Sequence, residues 1–363
     1  MTEPQTISAF DRKMMQKCLQ LARRAVGKTA SNPLVGSVIV KDGVIIGEGF
    51  HPEFGQPHAE VFALKAAGEE AQGATVYVNL EPCNHYGKTP PCADALVEAK
   101  IAKVVTGMVD PDPRVAGSGI EKLRDAGIEV IVGVEEAACR QLNEAFIHRI
   151  EHKQPFGILK YAMTLDGKIA TTTGHSAWIT SKASRHLVHQ VRSTCDAIII
   201  GGNTVRKDNP SLTTHGVTEH NPLRVVMSRS LDLPTNCNLW NDRLAHTLIF
   251  TENKDAARQQ KLHTEQTDII TVAALTPQIV MEHLYQRNIS KVLWECGGTL
   301  AAKAIADGSV QKIMAFIAPK IIGGTDAPSP VGDLDLKLMT EALELKNVES
   351  RAIASDILIE GYL

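Results

Sequence analysis

The sequence has few aromatic residues and no large excess of either charge. Aromatic side chains make up 4% of its 363 residues, so it lacks the stacking platform by which single-stranded nucleic acids are commonly bound. The formal net charge of −3 argues against non-specific binding to nucleic acids or to anionic membranes. We therefore expect neither a nucleic acid nor a membrane as a partner.

Long apolar runs and a regular cysteine framework are also missing. No run approaches the roughly 20 apolar residues of a membrane-spanning helix, and the N-terminus shows no apolar stretch preceded by basic residues. The seven cysteines are odd in number and irregularly spaced. These features predict a cytoplasmic protein whose cysteines are metal ligands or buried thiols rather than disulfides.

Strand and helix patterns alternate in two successive halves of the chain. Apolar residues at helical spacing predict a helix from about Phe10 to Val26, and two β-branched runs joined at Lys41-Asp42-Gly43 predict a hairpin. The polar stretch "HKQP" separates the halves. The fold class we predict is α/β, with two domains at residues 1–150 and 151–363, and the alternation predicts a largely parallel sheet.

The first half contains the residue types of a catalytic zinc site. His58 opens "HAEVFAL", and Cys83 and Cys92 bound the segment "CNHYGKTPPC". One histidine, two cysteines and a glutamate that is not a ligand form the residue set of zinc-dependent deaminases. Three protein ligands leave the fourth zinc position to water, whose pKa zinc lowers to about 7. We expect Glu60 to carry a proton between that water and the substrate.

Two other functions are compatible with parts of this pattern. A structural zinc site would need a fourth ligand, which His51 or His85 could provide, and would give Glu60 no role. A nucleic-acid base deaminase with an accessory domain would carry a basic face and a closer cysteine pair. Eight residues separate Cys83 from Cys92, which is wider than that pair.

Longer motifs in both halves resemble one known family. They include "SNPLVGSVIVKDG", "LEPCNHYGKTPPCADAL", "DPDPRVAGSGIEKLRDAGIEV", "KYAMTLDGKIAT", "HSAWITS", "DNPSLT" and "APKIIGG". The family is the bifunctional deaminase–reductases of riboflavin biosynthesis. The extended "EPCNHYGKTPPC" is a mark of this family, so the wide cysteine spacing agrees with the resemblance.

The resemblance implies two consecutive reactions on a phosphorylated pyrimidine. An N-terminal domain similar to cytidine deaminases would remove the 2-amino group of 2,5-diamino-6-(5-phosphoribosylamino)pyrimidin-4(3H)-one with Zn²⁺. A C-terminal domain similar in fold to dihydrofolate reductase would then use NADPH to reduce the ribosyl arm to ribityl. We also expect a homo-oligomer, either a dimer or a tetramer.

The resemblance also assigns residues to the deaminase site. His58, Cys83 and Cys92 would hold zinc, and Glu60 would be the catalytic proton carrier. The side chains of Asn32, His51, His85 and Lys88 match positions that line the pyrimidine and phosphate pocket of the family.

In the second half the glycine signature of dinucleotide-binding folds, G-x-G-x-x-G, is absent after every predicted strand. Glycine pairs in "AIIIGGNTV" and "VLWECGGTLAAKAIA" instead follow strands and precede helices, which suits a phosphate at a helix N-terminus. The resemblance makes Lys160, Asp208 and Glu295 catalytic candidates. Matching substrate positions are Ser176, Arg192, Leu212, His215 and Glu295, and matching cofactor positions are Ala162, Trp178, Thr204, Asp208, Gly297, Gly298, Thr299 and Leu300.

One residue departs from the family pattern. After "DNPSLTT" the family usually has an arginine, and this chain has His215. A histidine is not permanently charged and cannot form the two-pronged contact that arginine makes with phosphate. We hypothesise that phosphate binding weakens above pH 7, unless Arg206 or Arg192 compensates.

Overall fold

The computed structural model describes residues 7–86 and 90–363, which form two compact units. The first unit ends at Lys153, and the second runs from Gln154 to Leu363. The sequence placed the domain boundary at residue 150, which lies in the last helix of the first unit, Glu144–His152. No helix in the described residues is both long and apolar enough to cross a membrane.

The first unit is built on a five-stranded sheet with the order β2-β1-β3-β4-β5. β1 pairs antiparallel with β2 and β3, while β3, β4 and β5 are parallel. The expectation of a largely parallel sheet is therefore wrong here, because the strands of a tight hairpin are necessarily antiparallel. The strands are β1 (Gly36–Lys41), β2 (Val44–Phe50), β3 (Thr75–Val78), β4 (Lys103–Thr106) and β5 (Glu129–Val132), and the helices are α1 (Ala9–Ala22), α2 (Ala59–Ala67), α3 (Cys92–Glu98), α4 (Ser118–Asp125), α5 (Glu136–Leu142) and α6 (Glu144–His152).

Local sequence signals account for the first elements of this unit. The backbone N–H of Asp11 bonds to the Ser8 hydroxyl at 3.1 Å, and the Asp11 carboxylate accepts from the Ser8 backbone at 2.9 Å, so a capping box starts α1. Asp42 and Gly43 have φ angles of 49° and 78°, as a two-residue hairpin turn requires. The predicted hairpin is confirmed, and the predicted first helix ends four residues early, in a short 3₁₀ turn.

The second unit contains a nine-stranded sheet with the order β10-β9-β8-β7-β11-β6-β12-β14-β13. All pairs from β10 to β12 are parallel, and only the last two pairs of the order, β12–β14 and β14–β13, are antiparallel. The predicted α/β class is confirmed in both units. The strands are β6 (Phe156–Thr164), β7 (Ala197–Gly201), β8 (Leu223–Met227), β9 (Thr247–Thr251), β10 (Thr267–Thr271), β11 (Lys291–Trp294), β12 (Lys312–Ala318), β13 (Lys346–Ile353) and β14 (Asp356–Tyr362), and the helices are α7 (Lys182–Arg192), α8 (Gly202–Asp208), α9 (Asn238–Asn241), α10 (Ala256–Leu262), α11 (Pro277–Gln286) and α12 (Gly298–Ala306).

Each unit presents its candidate functional residues at the carboxyl ends of central strands. β3 lies between β1 and β4, and the segment after it leads to Cys83. β11 lies between β6 and β7, and Glu295 directly follows its last residue, Trp294, which is fully buried. Ligands of open α/β sheets bind at such strand ends, where loops from neighbouring strands meet.

Candidate active sites

The first unit brings together one histidine and one cysteine at the starts of two helices and a second cysteine in the segment after β3. His58 is the N-cap of α2, and Cys92 is the first residue of α3. His58 Nδ1 lies 3.2 Å from Cys92 Sγ and 3.4 Å from Cys83 Sγ. All three ligand atoms lie within 4.8 Å of one another, and within residues 7–86 and 90–363 no other group of metal-ligating side chains meets this criterion.

The dimensions of this group suit a zinc ion. Zn–N bonds of about 2.0–2.1 Å and Zn–S bonds of about 2.3 Å, in tetrahedral geometry, separate nitrogen from sulfur by about 3.5 Å. The two observed Nδ1–Sγ distances, 3.2 and 3.4 Å, are close to that value. The Cys92 backbone N–H donates to Cys83 Sγ at 3.3 Å. Hydrogen bonds from Cys92 and His58 lower the pKa of Cys83, which favours the thiolate that zinc binds.

Glu60 lies beside this group in the first turn of α2. It is 3% exposed, and its carboxyl interacts with the thiol of Cys92 and with the charge of His58. Burial raises the pKa of Glu60 to about 7. A buried carboxyl group next to three ligands, and outside the ligand set itself, has the position of a proton carrier.

His51 is a structural partner of Asn32 and not a fourth ligand. His51 Nδ1 lies 3.0 Å from the carbonyl oxygen of Pro57, so this nitrogen is the donor. The other ring nitrogen, Nε2, lies 3.0 Å from Asn32 Nδ2 and accepts from it. Burial lowers the pKa of His51, in agreement with a neutral ring. Because both nitrogens already have partners, His51 cannot complete a closed zinc site without breaking these bonds.

The remaining predicted pocket residues lie in the segment between the cysteines. His85 is exposed, and its charge acts on the nearby carboxyl groups of Asp110 and Asp112. Burial raises the pKa of Asp110 to about 6. Lys88 lies outside the described residues.

Two buried asparagines that the sequence analysis missed hold the loop that carries Asn32. Asn79 accepts from the Gly36 N–H at 2.7 Å and donates to the Leu34 carbonyl at 2.9 Å. Asn143, 109 residues from Leu34, accepts from the Leu34 N–H at 2.8 Å and donates to the same carbonyl at 3.1 Å. The motif "NLEPC" could have indicated Asn79, but no local signal indicates Asn143.

In the second unit the structure brings Lys160, Glu295 and Arg192 together. Arg192 Nε and Nη2 donate to the two Glu295 oxygens at 2.6 and 3.1 Å, and Lys160 Nζ lies 3.3 Å from Glu295 Oε2. Despite the burial of the carboxylate, these two cations lower the pKa of Glu295 to about 2. Glu295 is therefore ionised at neutral pH and cannot donate a proton there.

The same arginine ties this trio to the loop after α8. Arg192 Nη1 donates to the carbonyl oxygen of Thr213 at 2.9 Å. In this loop Leu212 is 3% exposed, while His215 is exposed and its ring centroid lies 4.2 Å from that of His189 on α7. Partial burial and Arg192 lower the pKa of His215, and burial followed by the charge of His215 lowers that of His189 to about 4.

The glycine turns after β7 and β11 lie side by side, because these strands are neighbours. Gly297 is the N-cap of α12, and a Cβ atom built there would have no neighbour within 4 Å. At Gly298 a Cβ atom would lie 2.6 Å from the Ser329 carbonyl oxygen. Gly297 therefore leaves room for a cofactor phosphate at the helix N-terminus, whereas Gly298 is required by the approach of the chain itself.

The other predicted reductase positions lie on β6, α8 and α12 and in the loop before α7. Trp178 is 69% exposed, and the Arg185 guanidinium lies 4.4 Å from its ring centroid. Thr204 is half-buried on α8, and Asp208 is exposed at the end of that helix. The remaining half-buried positions are Ala162 on β6, Ser176 in the loop before α7, and Leu300 on α12, whereas Thr299 on the same helix is exposed.

Comparisons with known proteins cover both units. Residues 8–108 match the family model described as the cytidine and deoxycytidylate deaminase zinc-binding region, and residues 155–359 match the RibD C-terminal domain. The chain is 62% identical over 355 residues to the riboflavin biosynthesis protein RibD of Synechocystis, covering 97% of this chain and 96% of that protein. It is 40% identical over 354 residues to RibD of Aquifex aeolicus, with 97% and 98% covered.

Two solved structures are similar over almost the whole chain. The diaminohydroxyphosphoribosylaminopyrimidine deaminase/5-amino-6-(5-phosphoribosylamino)uracil reductase of Thermotoga maritima has a TM-score of 0.88 and 37% identity, with 97% of this chain and 98% of that chain covered. The RibD of Acinetobacter baumannii has a TM-score of 0.87 and 37% identity, with the same coverage. Both similarities cover residues of both units.

These findings confirm the resemblance noted in the sequence. A zinc-binding deaminase region in the first unit and a RibD reductase domain in the second imply Zn²⁺ and NADPH as cofactors, and the His58–Cys83–Cys92 group agrees with the former. The identity extends over nearly the full length of curated relatives. The chain therefore belongs to the RibD family, the bifunctional deaminase–reductases of riboflavin biosynthesis.

Proposed function

We propose that the first unit deaminates 2,5-diamino-6-(5-phosphoribosylamino)pyrimidin-4(3H)-one and that the second reduces the ribosyl arm of the product with NADPH. The observation that carries this proposal is the placement of Glu60, buried beside a three-residue ligand group of zinc dimensions. The substrates of the Thermotoga maritima relative support the choice of pyrimidine. In this proposal residues 1–150 form the deaminase domain and residues 151–363 the reductase domain.

In the deaminase site, His58, Cys83 and Cys92 would hold Zn²⁺. When bound, zinc supplies a water molecule of lowered pKa, about 7. Glu60 takes one proton from the attacking water and gives it to the ring nitrogen. It then takes the second proton from the hydroxyl group formed on the ring carbon and gives it to the amine, which leaves as ammonia. Asn32 and His85 bind the pyrimidine and its arm, with Lys88 as a further cation for the phosphate, and His51 fixes the side chain of Asn32.

In the reductase site, NADPH supplies the hydride when bound. Lys160 is the proton donor in this proposal. Its ammonium group has three N–H groups, and the bond to Glu295 uses one of them, so another can face the substrate. Glu295 holds Lys160 in place, and Arg192 is occupied by Glu295 and Thr213, so it orients the site more than it clamps a phosphate. Asp208, Thr204, Ala162 and Trp178 are proposed to contact the cofactor.

Substrate contacts in this site are proposed for Ser176, Leu212 and His215. Leu212 lies in the loop to which Arg192 is hydrogen-bonded, and His215 is exposed on the same loop. The cofactor phosphates are proposed to lie at the segment from Gly297 to Leu300.

One incubation tests both activities. The protein, loaded with zinc, is given the diaminopyrimidinone phosphate with and without NADPH, and ammonia and NADPH absorbance are followed together. We expect ammonia in both samples, and NADPH oxidation only after ammonia release has begun. Ammonia release from cytidine or from an RNA substrate, with none from the diaminopyrimidinone, would instead favour a base deaminase.

We also propose that the protein is a homo-oligomer formed through the edge of the second sheet. β13 is an edge strand with seven consecutive exposed residues, and exposed apolar side chains lie on it and in the segment that precedes it. These are Leu338 (64% exposed), Met339 (88%), Leu343 (54%) and Val348 (54%). Open edges and apolar patches of this kind are typical of protein–protein contacts.

Light scattering during size-exclusion chromatography tests the oligomer. We expect a dimer or tetramer that Val348→Lys dissociates. Val44→Lys should have no effect, although Val44 of the first unit is more exposed (63%) than Val348 (54%). A monomeric wild-type protein would contradict the proposal.

The cytoplasm is the compartment we propose, because all seven cysteines lie in the described residues and none forms a disulfide.

A further inference from the structure

The segment after β3 lies between the two loops that border the zinc ligands. β3 pairs with the start of β1 on one side, where Ser37 faces Val78, and with the end of β4 on the other, where Thr106 faces Val78. Asn79 therefore reaches the loop before β1, to which it is hydrogen-bonded. Glu81, two residues further on, lies beside the loop that follows β4.

Glu81 is a buried carboxyl group whose four hydrogen bonds go to the backbone of that loop and of the first turn of α4, which follows it. It is 3% exposed. Its Oε2 accepts from the N–H groups of Asp110 at 3.1 Å and Gly117 at 2.9 Å. Its Oε1 accepts from those of Gly119 at 3.0 Å and Ile120 at 3.2 Å. A carboxylate offers about four lone-pair positions, so its capacity to accept is filled.

The loop that Glu81 holds also touches the chain on both sides of Cys83. A Cβ atom at Gly119 would lie 1.9 Å from the carbonyl oxygen of Pro82, so the two backbones are in direct contact. On the other side, Asn84 Nδ2 donates to the Ser118 carbonyl at 3.3 Å. The loop contains Asp110, whose buried carboxyl feels the charge of His85. Residues 110–120 therefore form a wall next to Cys83 and His85.

We propose that Glu81 is a positioning residue of the deaminase site, which fixes residues 110–120 as the wall of the pyrimidine pocket adjoining Cys83 and His85. The inference rests on the proposed deaminase function. Glu81 acts through the loop, because its side-chain oxygens are occupied by four backbone N–H groups. It differs in this from Glu60, which lies directly beside the ligand group.

The isosteric change Glu81→Gln is the sharpest test. Glutamine keeps the volume of the side chain, but one oxygen becomes an NH₂ group that faces two backbone N–H donors in either orientation. Two of the four bonds are lost and the loop shifts, while His58, Cys92 and Glu60 stay in place. We expect the deaminase KM to rise about tenfold or more and kcat to change by less than about threefold, since a tenfold change corresponds to the loss of one to two net hydrogen bonds.

Three readouts separate positioning from a general structural role. Zinc content should remain one ion per chain, and NADPH oxidation by the second unit should be unchanged. Hydrogen–deuterium exchange at Gly117, Gly119 and Ile120 should be faster in Glu81→Gln than in the wild type. Glu81→Asp keeps both acceptor oxygens on a shorter side chain, so we expect its KM to lie between those of wild type and Glu81→Gln. If the Glu81→Gln protein does not fold, Glu81→Asp replaces it in these measurements.

An unchanged KM together with unchanged exchange at these amides would overturn the inference. A loss confined to zinc content or to kcat would also overturn it, because the role would then belong to the metal group. Failure of the wild-type protein to release ammonia from the diaminopyrimidinone would count against the proposed function instead. The exchange measurement on the zinc-loaded protein would still test Glu81 in that case.

Discussion

At the scale of single residues, two carboxyl groups of the chain lie in opposite environments. Glu60 is buried next to thiols, and burial raises its pKa to about 7. Glu295 is also buried, but Arg192 and Lys160 lower its pKa to about 2. Position decides the role in each case, because a carboxyl group beside two cations remains an anion and orients its neighbours. Glu60 is the carboxyl group suited to proton transfer, and Glu295 is suited to holding Lys160.

The change Glu60→Gln tests the first of these roles. We expect ammonia release to fall by about 10²–10⁴-fold, the usual contribution of proton transfer by a positioned side chain. Zinc content and NADPH oxidation should be retained, because Glu60 is not a ligand and lies in the first unit. Metal analysis and the two activity assays are the measurements. A structural zinc site predicts no change in any of them.

His215 should make substrate binding in the reductase site depend on pH. Partial burial and Arg192 lower the pKa of His215 below its usual value, so the ring gains its proton at a lower pH than a free histidine does. The sequence led us to expect that phosphate binding weakens above pH 7. The lowered pKa places this weakening at a lower pH. We expect the KM of the phosphorylated substrate to be constant between pH 7 and 8 and to fall as the pH is lowered below 6.5.

The variant His215→Arg is the control, because it leaves the titratable and charged groups around this ring unchanged. His189, His186, Arg192 and Glu295 all face the stacked pair and are unaltered by a change at His215. His215→Arg gives a permanent charge, so its KM should be lower at pH 7 and should lose the decrease below pH 6.5. A wild-type KM that rises steadily from pH 7 to pH 8 would contradict the expectation.

At the scale of secondary-structure elements, the helix starts determine both sites. α2 and α3 begin at the predicted zinc ligands His58 and Cys92, and α12 begins at the glycine turn proposed for the cofactor phosphates. The two glycines of that turn have different tasks. Gly297 faces open space, whereas Gly298 is in close contact with the segment around Ser329, and its carbonyl accepts from the Gly332 N–H at 2.9 Å.

Alanine substitutions should separate these tasks. Gly298→Ala should lower the free energy of unfolding of the second unit by about 1–3 kcal/mol, because the added Cβ atom overpacks a backbone contact. Gly297→Ala should leave stability nearly unchanged and raise the KM for NADPH. Urea denaturation and NADPH saturation curves are the measurements. Equal destabilisation by both changes would show that the turn has no open side.

Local patterns were sufficient to predict many of these elements. The hairpin at Asp42 and Gly43 follows from residues that adopt positive φ, and the order of strands and helices follows from apolar periodicity. The ligand set His58, Cys83 and Cys92 remains a prediction for which the structure supplies the distances. Its spacing within "HAE" and "CNHYGKTPPC" is visible in the sequence.

Contacts between distant parts of the chain could not be predicted from the sequence. Asn143 binds Leu34 across 109 residues, and Glu81 binds a loop 29 to 39 residues away. The pairing of His189 with His215 and of Arg192 with Glu295 likewise depends on strand order. Such contacts result from tertiary packing, for which a single sequence carries no local signal.

At the scale of the whole molecule, two compact units each have a sheet and a hydrophobic core. The first core includes Leu96 and Val105, and the second includes Phe250 and Trp294. The proposed residues of each reaction lie within one unit. The two activities should therefore be separable, even though one unit produces the substrate of the other.

A fragment of residues 154–363 tests this separation. We expect it to fold and to oxidise NADPH with the deaminated pyrimidine at a kcat within about threefold of the full chain, since its core and its Lys160–Glu295–Arg192 group are complete. Ammonia release should be absent. Circular dichroism establishes folding, and a folded fragment without reductase activity would show that the second site needs the first unit.

The pair formed by Asn32 and His51 fixes the orientation of the Asn32 amide group, which is a proposed substrate contact. The Pro57 carbonyl fixes the proton of His51 on Nδ1, and the Asn32 NH₂ group must then face Nε2. The oxygen of the Asn32 amide is consequently turned away from His51, as an acceptor. A substrate group that meets this oxygen must donate, so a substrate analogue with an acceptor in place of that N–H group should bind more weakly.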